Sequence, residues 1–286
     1  MVSYNPKDWF KLIFQFHKSD TFRMLMPTML ILGVITGGYV KLEQHYPVLQ
    51  VQGLVIFHQL SGFMISMVLV FRINSAYDRW WEGRKLWGSL LNHSRILAVR
   101  AASLTADFAS RAKCAALITN FAIVLKNHLR DQHSTEELLS IAGPFSEQLA
   151  SHSHKPNFVL QQLHAELKAL SKDSPSDMLP IAENIQALAD ICGGCERIRH
   201  TPIPFSYSIF IKKIIFLYVI TLPLGLSVNI GYFAIPVVMF LFYAFASLEL
   251  ISEEIEDPFG IDANDLPTDE LTVKIKVNTA EILNIK

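Results

Sequence analysis

Charged side chains are missing from three long stretches of the chain. Residues 24–40 read MLMPTMLILGVITGGYV, residues 48–71 read VLQVQGLVIFHQLSGFMISMVLVF, and residues 214–247 contain no Asp, Glu, Lys or Arg. About 20 apolar residues in a helix cross the roughly 30 Å hydrocarbon core of a bilayer. The third stretch is long enough for two crossings, hinged at Val228-Asn229-Ile230-Gly231, where Asn and Gly favour a tight turn. Four spans are therefore predicted, the third extended backwards by residues 206–211. Between the pairs, WEGRKLWGSLLNHSRILAVRAASL and RAKCAALITNFAIVLKNHLRD repeat apolar residues every three to four positions, which predicts helices. Residues 131–157, rich in Ser and His and containing Gly143, predict a loop interrupted by a short helix around 136–141.

Charge placement orients these spans, because lysines and arginines collect on the cytoplasmic side. Lys7, Lys11, Lys18 and Arg23 precede the first span; Arg72, Arg79, Arg84 and Lys85 follow the second; Arg197, Arg199, Lys212 and Lys213 precede the third. The 41–47 connection holds one Lys and one Glu, and the 228–231 turn holds neither. Both termini and the middle region are expected in the cytoplasm. The expected architecture is an all-α membrane protein: an amphipathic segment at 1–23, spans 1 and 2 within 24–72, a cytoplasmic helical region at 73–205, spans 3 and 4 within 206–250, and an acidic cytoplasmic segment at 251–286. The first of these carries Trp9, Phe10, Ile13 and Phe14 on one helical face and no small-residue cleavage site, so it reads as a surface helix rather than a secretory signal.

Composition narrows the classes. With 51% hydrophobic and 18% charged residues and a net charge of −1, nothing points to a nucleic-acid partner. Three cysteines are too few for a disulfide framework. The phosphate-cradling glycine loop, G-x-S-x-G and H-E-x-x-H are all absent, and no nucleophile, base and orienting group can be assembled, so an enzyme is not expected. CGGC at 192–195 lacks both a second zinc-ligand pair and a surrounding βαβ pattern; two small residues at a close helix approach is the preferred reading. His152 and His154 in HSHK have no acidic residue near them in sequence and read as solvated.

Two segments keep a functional reading open. Phe63, Met67 and Phe71 recur every four residues along one face of the second span, and Asn74 continues that face. Beside it, Gly62 and Ser66 would let another helix come close. His58 and Gln59 lie near the extracytoplasmic end of the same span, either solvated at the interface or at the mouth of a conduit. Trp80 and Trp81 are expected at the membrane interface. LELISEEIEDPFGIDANDLPTDEL packs nine acidic residues behind the fourth span. Asp257, Asp262 and Asp265 there could offer oxygen ligands to a hard cation such as calcium, or pair with the basic 72–85 stretch.

FRINSAYDRWWEGRKLWG (71–88), GGCERIRHTPIPFSY (193–207) and EEIEDPFGIDANDLP (253–267), in that order among four spans, resemble the bestrophin family in its bacterial form. The resemblance implies a homopentameric ion channel of the bacterial inner membrane, its partners being further copies of itself, lipid and small inorganic ions. It implies an apolar neck of Phe63, Met67 and Phe71 on the second span. It also implies a cytoplasmic aperture, at Ile181 or, as second choice, Met178. Animal members carry an unbroken acidic run that helps clasp calcium; here Ile261, Ala263 and Asn264 interrupt it, leaving an incomplete set in Asp257, Asp262 and Asp265. Charge selectivity stays open, since animal and plant members pass anions while a bacterial relative prefers cations. A secondary transporter would show repeats and buried ionisable groups in its spans. A membrane scaffold with a partner-binding bundle would not need the aligned Phe63–Met67–Phe71 face.

Overall fold

The computed structural model describes residues 20–50, 53–132, 134–141, 143–172 and 175–285. The amphipathic face of Trp9, Phe10, Ile13 and Phe14 lies outside them. Regular structure among the described residues is entirely helical. In chain order the α-helices are α1 (Asp20–His45), α2 (Leu54–Leu104), α3 (Phe108–Leu129), α4 (Phe145–Ser151), α5 (Lys155–Leu170), α6 (Met178–His200), α7 (Phe205–Ile230), α8 (Ala234–Glu256) and α9 (Thr268–Ile282). At 51 residues, α2 is roughly 75 Å long at 1.5 Å per residue. It contributes its first part to one compact unit, Val2–Asp78 with Pro202–Glu256, and the rest to another, Arg79–Thr201 with Asp257–Lys286.

The second of these units is a helical bundle built around α3. Asp107 starts that helix by accepting the Ser110 N–H at 2.8 Å, which satisfies one of the free donors of its first turn. From Cys114 onward nearly every α3 side chain is buried. Phe121, Leu125 and Leu129 pack there with Trp87 and Leu97 of α2, Leu163 and Leu167 of α5, Leu188 of α6 and Ile275 of α9. The short helix predicted around 136–141 falls instead at Phe145–Ser151. Buried Asn120 explains the shift: its side chain donates to Leu139 O (2.9 Å) and accepts from Leu139 N (2.8 Å), taking both backbone groups away from a helix.

The other unit contains α1, the first part of α2, and the α7–α8 hairpin. Its buried apolar core is small: Leu32, Ile65, Leu69, Ile211, Ile215, Val219, Leu222 and Val238. The hairpin turns at Gly231, whose φ of +52° is in the region that favours glycine, followed by a single 3-10 turn at Gly231–Phe233. The break therefore falls at the last residue of the predicted hinge. Gly62 serves close packing as expected, since a Cβ there would lie 2.8 Å from the Tyr218 hydroxyl of α7.

Four helical segments are long and apolar enough to cross a membrane: Thr21–His45, Leu54–Leu104, Phe108–Leu129 and Phe205–Glu256. The last is the α7–α8 hairpin and so holds two of the predicted spans. The third, α3, matches no predicted span, and 67% of its most apolar window is buried inside the protein, against 17–28% for the other three. Its apolarity is used up within the bundle.

Candidate pore-lining helix

Along the first part of α2, up to Asp78, the buried positions are His58, Ile65, Leu69, Arg72 and Ala76. Their spacing of seven, four, three and four residues draws one seam along the helix. Phe63, Met67 and Phe71 lie on the opposite side and are exposed by 66%, 47% and 61%. Gln59 and Asn74 extend this outward stripe at each end and are exposed as well. The chain thus presents three large apolar side chains outward while the reverse face of the same helix holds its core.

The predicted pair His58–Gln59 is split by this geometry. His58 is buried and turned away from the stripe, which departs from the pore-mouth position expected for it. Its Nδ1 lies 2.8 Å from Leu54 O and its Nε2 3.1 Å from Thr221 Oγ1, and its ring meets Tyr218 edge-on. Gly225 of α7 makes the room, since a Cβ there would fall 2.9 Å from His58 Nδ1. Hydrogen bonding to a neighbouring helix is how an apolar segment accommodates an imidazole.

Directly after Phe71, the Arg72 guanidinium is 1% exposed. Its Nη2 sits 2.6 Å from Glu256 Oε2 and its Nε 3.7 Å from Glu249 Oε2, both on α8. Glu256 Oε1 also accepts the Ile203 N–H at 2.6 Å, which fixes the Pro-flanked approach to α7. Where a buried charge is matched in this way, removing one partner leaves the others desolvated and uncompensated. Arg72 is thus paired, but by Glu249 and Glu256 and not by Asp257, Asp262 or Asp265, the residues expected to pair with the basic stretch. Sequence showed the charges but not that Glu249, alone at the end of an apolar run, would be a partner.

In the bundle unit, Arg79 donates to Thr201 O at 2.6 Å and to Ile198 O, covering free carbonyls at the end of α6. Trp80 Nε1 donates to Asn264 O at 3.0 Å, so this indole docks on the acidic segment. Asp257 pairs with Arg199 at 3.6 Å. Asp265 Oδ2 accepts the Asp262 N–H at 2.6 Å, closing the bend after DPFG. Gly260 is required there, because a Cβ would meet that oxygen at 2.6 Å. These bonds do not bring Asp257, Asp262 and Asp265 into one ligand cluster among the described residues.

Of the two aperture candidates, Ile181 is fully buried in the bundle core, and a side chain enclosed within its own subunit cannot line a path outside it. Met178, the first residue of α6, is half-buried, and Leu179 beside it is 71% exposed.

Cys192 and Cys195 are buried, and burial pushes the Cys192 thiol up to about 12 and that of Cys195 higher still, which leaves neither poised for redox work. A Cβ on Gly194 would meet the Leu86 methyls at 3.0 and 3.1 Å, so CGGC serves a close helix approach, as expected. The reading of HSHK is corrected for His154, whose Nε2 lies 2.7 Å from Glu196 Oε1. That partner is 42 residues away in sequence and was invisible to any local pattern. His152 is separate, its Nδ1 2.6 Å from Gln148 O.

Apolar side chains turned outward along four helical stretches, around a small core, define an all-helical, multi-pass membrane protein. The chain matches the family described as Bacterial/Fungal Bestrophin protein over residues 1–281, and it belongs to that family. It is 33% identical to a voltage-dependent anion channel-forming protein of Nostoc, covering 98% of this chain and 93% of that one. It is 30% identical to the voltage-dependent anion channel-forming protein YneE of Escherichia coli K12, over 99% of this chain and 94% of its relative. The crystal structure of a bacterial bestrophin homologue from Klebsiella pneumoniae superimposes with a TM-score of 0.85 at 27% identity, covering 92% of this chain and 99% of that one.

Proposed function

We propose that the chain is one subunit of a bestrophin-type ion channel for small monovalent ions, assembled as a homopentamer in the bacterial inner membrane. The observation that carries this reading is the exposed Phe63–Met67–Phe71 stripe set opposite the buried seam of α2. A monomer with four spans encloses no conduit, and a symmetric ring is the ordinary way to make one. Repeated around such a ring, the stripe forms an apolar neck that gates by dewetting, with Gln59 on the outer side and Asn74 on the inner side. Arg72 and its two glutamates anchor this helix one residue below the neck. The basic flanks of the spans support a cytoplasmic bundle and cytoplasmic termini, and Met178 is the residue we assign to the cytoplasmic aperture. Relatives that carry the name of anion channel-forming proteins favour anion passage, and the neck itself, being apolar, does not set the sign of the ion.

The test is the reversal potential of the purified protein in planar bilayers under a KCl gradient. A shift to the chloride potential identifies an anion channel, and a shift to the potassium potential a cation channel. Replacing Phe63, Met67 and Phe71 together by Ala widens the neck and raises the conductance or open probability. Unchanged currents in that triple variant would remove the stripe from the ion path.

A further inference from the structure

His128 on the last turn of α3, His154 at the N-cap of α5 and Glu196 on α6 converge although they are far apart in sequence. His128 Nε2 lies 2.8 Å and His154 Nε2 2.7 Å from the same Glu196 oxygen. The two imidazole rings are 5.0 Å apart between centroids. Among the described residues this is the group of His, Cys, Asp and Glu side chains whose ligand atoms all fall within 4.8 Å of one another. From this convergence we infer a binding site for a borderline divalent transition ion, zinc above all, with His128 Nε2, His154 Nε2 and a Glu196 carboxylate oxygen as ligands.

Ligand chemistry selects that class of ion. Two imidazole nitrogens and one carboxylate suit zinc and its neighbours at about 2.0–2.2 Å per bond, whereas calcium and magnesium take sets of oxygens. Ligand atoms held tetrahedrally at that radius are separated by roughly 3.3–3.6 Å, which follows from the bond lengths. The present separations of 2.7 and 2.8 Å are hydrogen bonds. Opening them by well under an ångström admits the ion. The fourth position has a source of water in the cavity of about 70 Å³ beside His128, lined also by Asp131, Gln132, Ser153 and Lys155.

The protonation state fits the metal-free form. Asn157 N–H donates to His154 Nδ1 at 3.2 Å, so that nitrogen is bare and Nε2 carries the proton that Glu196 accepts. Burial pushes the Glu196 carboxyl upward, but the bonds from His154 and His128 outweigh it and hold it below the usual range. An arriving ion displaces the Nε2 protons. On His154 the ring stays neutral by carrying its proton on Nδ1 instead, and the cap bond from Asn157 is given up. Bound there, the ion ties α3, α5 and α6 together at one point. It uses none of the residues of the acidic segment.

The experiment uses full-length, tag-free protein in detergent, stripped with a chelator and titrated with zinc chloride, with bound metal counted after equilibrium dialysis. One zinc per chain and a rise in the unfolding temperature are expected. Cobalt in place of zinc is expected to give the visible absorption bands of a tetrahedral N/O site. H154Q is expected to weaken zinc by roughly tenfold or more, since even changes beyond the ligands cost about that much. Glu196→Gln keeps a hydrogen-bond acceptor for both rings and tests the loss of charge in a chain that still folds. Wild-type protein that binds no zinc overturns the proposal whatever the variants do. Wild-type binding that persists undiminished in both folded variants overturns the assignment to this site.

Discussion

Helix α3 and the α7–α8 hairpin are both apolar enough to cross a membrane, yet they spend that apolarity differently. Two thirds of the apolar window of α3 is buried against other helices of its own unit; for the hairpin the share is 22%. Phe121 of α3 is fully buried, whereas Phe216 of α7 is 62% exposed. Apolar burial stabilises a fold at about 25 cal/mol per Å² only when the surface leaves water. In the bundle that happens inside one chain. The hairpin needs lipid or other subunits to complete it, which is why its own core can stay small. Charge is treated differently too. The hairpin unit encloses Arg72 with two glutamates, while the bundle lays Arg197 against Glu82 on an exposed face.

The sharpest way to break this comparison is Phe121→Ala. Truncating a buried Phe costs about 3–5 kcal/mol, so thermal unfolding in detergent should show a large loss for the bundle. Phe216→Ala should leave the unfolding temperature nearly unchanged, and an equal loss there would place that face against protein. Next comes Arg72→Met, which strands Glu249 and Glu256. A cost of about 3 kcal/mol is expected for a broken buried pair, readable by the same unfolding assay and partly restored when Glu249 is changed to Gln in the same chain. Glu82→Gln should cost under about 1 kcal/mol, as exposed ion pairs do. A large effect would mean that this pair is covered in the assembly.

The smallest effect concerns pH. Hydrogen bonds from Arg130 and Lys126 outweigh burial and hold the Asp269 carboxyl down at about 2. A carboxyl lowered on folding contributes stability above its unfolded value, near 4, and loses that contribution as pH falls from there towards 2. The difference in unfolding temperature between the native chain and Asp269→Asn should therefore be present at neutral pH and shrink across that acid window. Because Asp269 is more than half exposed, the difference is modest.

Local pattern carried far in this chain. The uncharged runs located α1, the first part of α2 and both arms of the hairpin, because a membrane span is a property of consecutive residues. The four-residue spacing of Phe63, Met67 and Phe71 placed them on one face, since helix geometry alone dictates it. Two small residues at Gly62 and Gly194 were legible as close approaches, because a missing Cβ has few other uses inside a helix.

What a face meets is a different matter, and only the tertiary structure decided it. His58 looked like part of an outward pair with Gln59 until Thr221, 163 residues away, took its Nε2. Ile181 fitted an aperture until the bundle core enclosed it. HSHK lacked an acidic partner until α6 brought Glu196 to His154. Periodicity and charge counts are short-range quantities, readable from neighbours in sequence. Burial and pairing are set by which helices come to lie side by side, and that is a sum over the whole chain.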